Sequence, residues 1–98
     1  MAYESKFKSD DVDSLFEAVL TLEDSEECYR FFEDLCTINE LKAMAQRWQV
    51  ARLLAAKKTY SEIEGETAAS TATISRINKC LLYGADGYRT VLAKLEDD

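Results

Sequence analysis

Two helix starts and the small-residue turn between them, within residues 59–81 (TYSEIEGETAASTATISRINKCL), constrain this chain more than any other feature. Thr59 and Glu62 have the spacing of a capping box, in which a hydroxyl and a carboxylate each satisfy a free backbone N–H at a helix start. The helix they begin is expected to reach about Glu66. Thr67-Ala68-Ala69 then allows a close turn, and Ser70 caps a second helix. Along that helix Ile74, Ile77 and Leu81 share one face, at i, i+3 and i+7. The opposite face carries Thr71, Ala72, Ser75 and Lys79. Small side chains, hydroxyls and a cation near the rim are what a helix needs to enter the DNA major groove. The spacing therefore predicts a helix-turn-helix over residues 59–81. An ordinary helical hairpin would share this local pattern, so the rest of the chain has to distinguish them.

At 98 residues the chain has the length of one domain, residues 1–98, and alone would bury only a modest core. Yet 47% of its residues are hydrophobic, which points to a partner that completes the core. It contains no proline and only three glycines, as an all-helical chain would. Cys28, Cys36 and Cys80 show no C-x-x-C spacing, and histidine is absent. Neither a zinc site nor a disulfide framework is expected, no metal or cofactor is implied, and the thiols are expected to be reduced and buried as small hydrophobes. No signal peptide or apolar run of membrane-spanning length is apparent, and the expected location is the cytoplasm.

A net charge of −7 would repel nucleic acid if it were spread evenly, but it is not. Residues 1–40 carry three basic and twelve acidic side chains, whereas residues 41–98 carry nine and seven. Across residues 67–94 only Asp86 opposes Arg76, Lys79, Arg89 and Lys94. The candidate motif thus lies in a locally basic segment, and the acidic charge belongs to the N-terminal part.

Residues 1–8 lack a clear period and are expected to form a flexible arm, with Tyr3 and Phe7 as candidates for tucking against the fold. From Ser9 onward Val12, Leu15, Phe16, Val19 and Leu20 keep helical spacing, with Asp10 and Asp11 favourably placed for the helix dipole. After a break at Glu23–Ser25, Cys28, Phe31, Phe32, Leu35 and Cys36 form a second apolar stripe. The cluster Glu23-Asp24-Ser25-Glu26-Glu27 lacks the ligand spacing of a calcium loop and reads as a solvated helix start. Thr37 and Glu40 repeat the capping-box spacing before the longest helix, expected over Ile38–Lys57 with Lys57 and Lys58 closing it. Leu41, Met44, Trp48, Ala51 and Ala55 share one stripe of this helix, while Ala43, Val50, Leu53 and Leu54 spread around the rest. A helix apolar on most sides has to be surrounded, and a second copy of the chain is the expected source. Tyr83-Gly84-Ala85-Asp86 then forms a turn before a last helix bearing Tyr88, Val91, Leu92 and Leu95, with Glu96-Asp97-Asp98 fraying. The expected architecture is all-α, with six helices.

The order of a capped central helix, a helix-turn-helix and one closing helix resembles the Trp repressor superfamily. The residues that carry the resemblance are Leu35–Thr37 leading into Gln46-Arg47-Trp48, then Ser61-Glu62-Ile63 and Ala72-Thr73-Ile74-Ser75-Arg76. The fuller segments RWQVARLLAAKKTYSEI and TATISRINKCLLYG are most similar to its YerC/YecD-like subfamily. The resemblance spans Ser9–Leu95. It implies an intertwined homodimer whose two motifs enter successive major grooves of a palindromic double-stranded DNA operator. It also implies that Thr59, Ser61, Ser70, Thr71, Ala72 and Ser75 face DNA; the local charge of the motif adds Arg76 and Lys79 to the candidate DNA-binding residues. Within the motif, Thr67 stands where the family often has leucine, and Ala68 where glycine commonly makes the turn.

The family's corepressor pocket is only partly preserved. Thr37, Arg47 and Arg76 match its pattern, and Val50 keeps an aliphatic wall. Ile77 replaces a glycine that leaves room for the indole ring of tryptophan, and Cys80 replaces a serine that helps hold the ligand amine. Control by tryptophan is therefore not expected, and Arg47 and Arg76 are left for structural or phosphate contacts. The functional expectation is a transcriptional regulator, most plainly a repressor, and not an enzyme: histidine and a phosphate-binding glycine loop are both absent. The rival reading is a helical protein-interaction module that keeps the fold without reading DNA, for which the overall acidity speaks.

Overall fold

The computed structural model describes residues 3–96. Their regular elements are six helices: α1 (Asp10–Val19), α2 (Ser25–Leu35), α3 (Ile38–Ala55), α4 (Tyr60–Thr67), α5 (Thr71–Tyr83) and α6 (Gly87–Glu96). No strand occurs among the described residues. The chain divides into two units, one ending at Thr37 and the other beginning at Ile38.

In the first unit, local polar chemistry sets the helix boundaries. The Ser9 hydroxyl accepts from the Val12 N–H at 3.1 Å, and Asp10, Asp11 and Asp13 occupy the positive end of α1. Asp24 caps α2 by accepting from the Glu27 N–H at 2.9 Å, and Glu27 accepts in return from the Glu23 N–H at 3.0 Å. The acidic cluster at residues 23–27 is therefore a helix start whose carboxylates meet free N–H groups. Preceding α1, the Phe7 N–H donates to the Ser5 hydroxyl at 3.0 Å, and Lys8 pairs with Asp13. Tyr3 and Phe7 do not tuck against the fold: they remain 71% and 72% exposed. Phe31 and Phe32 meet edge to face, with centroids 5.5 Å apart. Even so, neither α1 nor α2 buries a single residue, and Leu20 is 83% exposed.

The second unit holds the core, formed by Val50, Ala51, Ile63, Ala69, Ile74 and Ile77. α3 packs against α4 and α5, and α6 packs against α5. Trp48, Leu53, Leu54, Tyr60 and Tyr88 flank this core, and the Trp48 and Tyr88 rings stack at 6.3 Å. α3 ends at Ala55, two residues before the expected Lys57. The Lys57 N–H returns to the Leu54 carbonyl at 3.0 Å and the Lys58 N–H to that of Leu53 at 3.1 Å, while Lys57 itself adopts φ 67°. This is a Schellman closure made without glycine. The two lysines thus form the turn after α3 and do not extend the helix.

The cysteines also depart from expectation. Cys28 and Cys80 are exposed and Cys36 is half-buried, all as free thiols. The reason for Cys28 is the absence of any buried face on α2; Cys80 lies outside the buried Ile74 and Ile77 side of α5.

Candidate nucleic-acid interface

The α4–α5 motif is held by a short series of hydrogen bonds that follow from its sequence. At its start, the Thr59 hydroxyl accepts from the Glu62 N–H at 3.1 Å, and the Glu62 carboxylate accepts from the Thr59 N–H at 2.9 Å. The capping box is therefore complete. The Thr59 N–H first, and the Thr59 hydroxyl beside the carboxylate second, hold the Glu62 carboxyl below its ordinary pKa, with a smaller contribution from nearby Lys58. At the far end of α4, the Thr67 hydroxyl donates to the Ile63 carbonyl at 2.8 Å and accepts from the Ala69 N–H at 3.1 Å. Ala68 turns the chain at φ 60°, ψ 14°, the left-handed geometry that glycine adopts more easily. Thr67 thus supplies polar bracing on both sides of the turn.

Ser70 then begins α5 by accepting from the Thr73 N–H at 3.2 Å, while its own proton goes to the Thr73 hydroxyl at 3.0 Å. Beyond this cap the helix has two unlike sides. Ile74 and Ile77 are buried and anchor it, whereas Thr71, Ala72, Ser75, Arg76 and Lys79 are exposed. Thr59, Ser61 and Ser70 are exposed as well. All the residues assigned to DNA are thus accessible, although Thr59 and Ser70 also serve as helix caps. At its C-terminus α5 stops at Gly84, where a Cβ would lie 2.3 Å from the Cys80 carbonyl oxygen. Arg89 donates from Nε to the Leu81 carbonyl at 2.9 Å and from Nη2 to that of Leu82 at 3.1 Å. Its charge therefore serves the negative end of α5.

Two further side chains shape the motif: Gln46, which the sequence offers only as part of the resemblance, and Glu64, which it does not single out. Gln46 donates from α3 to the Thr67 carbonyl at 3.1 Å. Glu64, on α4, accepts from the Thr71 hydroxyl at 2.9 Å. Both bonds cross between helices, so no single-helix periodicity discloses them.

This architecture agrees with the comparisons to known proteins. The model for the Trp repressor protein family matches residues 10–96, nearly the whole chain. The chain belongs to the Trp repressor family. Among its relatives within the family is the uncharacterised protein YerC of Bacillus subtilis (strain 168), 53% identical over 92 residues, with 94% of this chain and 88% of the relative aligned. A crystal structure of a candidate Trp repressor from Staphylococcus aureus superposes with a TM-score of 0.88 at 47% identity, covering 95% of this chain and 93% of the other. A TrpR-like protein from Eubacterium eligens ATCC 27750 gives 0.89 at 50% identity, with 93% and 94% covered.

The six residues matched to the Trp repressor pocket differ in burial. Val50 and Ile77 lie in the same buried cluster, and Ile77 is only 2% exposed. Arg47, Arg76 and Cys80 are exposed, and Thr37 closes the other unit. The isoleucine side chain is thus packed into the core of the second unit. No group of His, Cys, Asp and Glu suited to a metal occurs among the described residues. No helix there is long and apolar enough to cross a membrane.

Proposed function

We propose that this protein is a homodimeric, sequence-specific regulator of transcription, acting as a repressor, that binds a palindromic operator in double-stranded DNA through one α4–α5 motif per chain. The observation that carries this reading is the two-sidedness of α5. Ile74 and Ile77 fix it to the core, while Thr71, Ala72, Ser75, Arg76 and Lys79 form a slim polar and cationic exposed face. Membership of the Trp repressor family supports the same reading. Dimerisation is supported by the coreless first unit and by the apolar surface a lone chain leaves in water, including Phe16, Leu20, Ile38 and Met44. Two-fold symmetry would present two recognition helices to matching half-sites. On this reading the protein has no catalytic role, works in the cytoplasm, and binds DNA without tryptophan.

Binding to duplex DNA across a salt series, with light scattering of the free protein, tests the proposal. A dimer whose affinity falls steeply with salt is expected. Ala72→Glu should abolish specific binding while leaving helicity and dimerisation intact. Lys79→Ala should weaken binding evenly across sequences and reduce the salt slope by about one. A compact monomer at micromolar concentration would refute the dimer. No duplex binding even at low salt would leave the protein as a helical interaction module.

A further inference from the structure

The bond between Glu64 and Thr71 limits what the first turn of the recognition helix can recognise. We propose that these two residues act as a specificity-determining pair, accepting a hydrogen bond from the exocyclic amino group of one base, cytosine N4 or adenine N6, in each half-site. The inference rests on the DNA-binding reading above and adds to it the chemistry of one contact.

A threonine hydroxyl has one proton to donate and lone pairs with which to accept. In Thr71 that proton is directed to Glu64 Oε1 at 2.9 Å. The hydroxyl oxygen is left as an acceptor toward any third group. A phosphate oxygen offers no proton, so the Thr71 hydroxyl held in this way cannot serve as a phosphate anchor. A carboxylate beside it makes a phosphate still less welcome. The acceptor atoms of guanine and of thymine in the major groove are excluded for the same reason. The donors on the major-groove edges are cytosine N4 and adenine N6. The Glu64 carboxylate is itself an acceptor, so both side chains select the same class of partner. Both are also exposed, and Thr71 is the first residue of α5, the part of a recognition helix that approaches base edges. The first turn of α5 contains no acidic residue of its own, and the carboxylate brought from α4 meets the positive end of that helix.

Selection of bound sequences from a random duplex pool tests the pair, using the full-length wild type, Glu64→Ala and Thr71→Val. Valine keeps the shape of threonine without its hydroxyl, and both positions are exposed, so the core is untouched. The wild type should favour cytosine or adenine at one position of each half-site by about five- to tenfold, the low end of discrimination by a base-edge contact. Each variant should flatten that same position and leave the rest of the site unchanged. Glu64→Ala should in addition strengthen binding to unrelated duplex severalfold, because a charge repelling phosphate is gone. Unaltered preference at every position in both variants, or losses at different positions, would overturn the pair and leave the DNA-binding reading intact. A wild type that enriches no sequence would overturn that reading and the pair together.

Discussion

Gln46 Nε2, on α3, donates at 3.1 Å to the carbonyl oxygen of Thr67, the last residue of α4. That carbonyl is one of the helix-end acceptors that have no partner within the helix. The turn before the recognition helix is therefore tied to the central helix by a side chain as well as by apolar packing. Gln46→Leu removes the donor and leaves a partly buried acceptor unmet. The expected loss is about 1–3 kcal/mol in denaturant unfolding. An unchanged midpoint and slope would show that water replaces the amide without cost.

Ala68 holds a left-handed conformation that disfavours any residue with a Cβ. Ala68→Gly relieves this strain but also adds freedom to the unfolded chain, which offsets part of the gain. A net stabilisation of about 0.5–1 kcal/mol is expected, with a rise of a few degrees in Tm. Ala68→Val should move Tm the other way.

Glu62 links the capping box to pH. Its carboxyl titrates lower in the folded chain than in the unfolded one, so the unfolded state binds more protons through that range. The contribution is present above the unfolded pKa and is lost as pH falls through the folded pKa. Glu62→Gln can still accept from the Thr59 N–H but has no charge to lose. At neutral pH the wild type should therefore unfold at higher temperature than Glu62→Gln. The two melting curves should converge in acid, and a gap independent of pH would contradict the assignment.

Ile77 shares a buried cluster with Val50, so its side chain already occupies apolar space between α3 and α5. Calorimetry with L-tryptophan should show no saturable binding, and operator affinity should not respond to it. Ile77→Ala should destabilise the protein by about 2–5 kcal/mol, and Ile77→Val by about 0.5–1.5 kcal/mol. Tryptophan binding to the wild type, coupled to tighter DNA binding, would refute the blocked-pocket reading.

The fold was largely legible because its helix boundaries are written in local chemistry. Ser9, Thr59 and Ser70 accept from the N–H three residues on, and Ile74 and Ile77 are buried as their spacing requires. The end of α3 is not legible in the sequence, because periodicity and charge both allow Lys57 to continue the helix, whereas Leu53 and Leu54 take part in a closure that needs left-handed backbone at that lysine. The exposure of the cysteines is not legible either, because an amphipathic face predicts that something covers it without saying what. The exposed face of α5 could be read from its period. The bonds Gln46–Thr67 and Glu64–Thr71 could not, because each joins two helices whose relative placement comes only from the folded unit.

The missing core in α1 and α2 also determines how their backbone amides should behave. In a lone chain, these hydrogen bonds can open without exposing a buried side chain, so their protons should exchange with solvent far sooner than those at Ile63 or Ile74. Slow exchange between residues 10 and 35 would therefore measure protection supplied by another molecule. These two helices would then serve as the chain's built-in reporter of association.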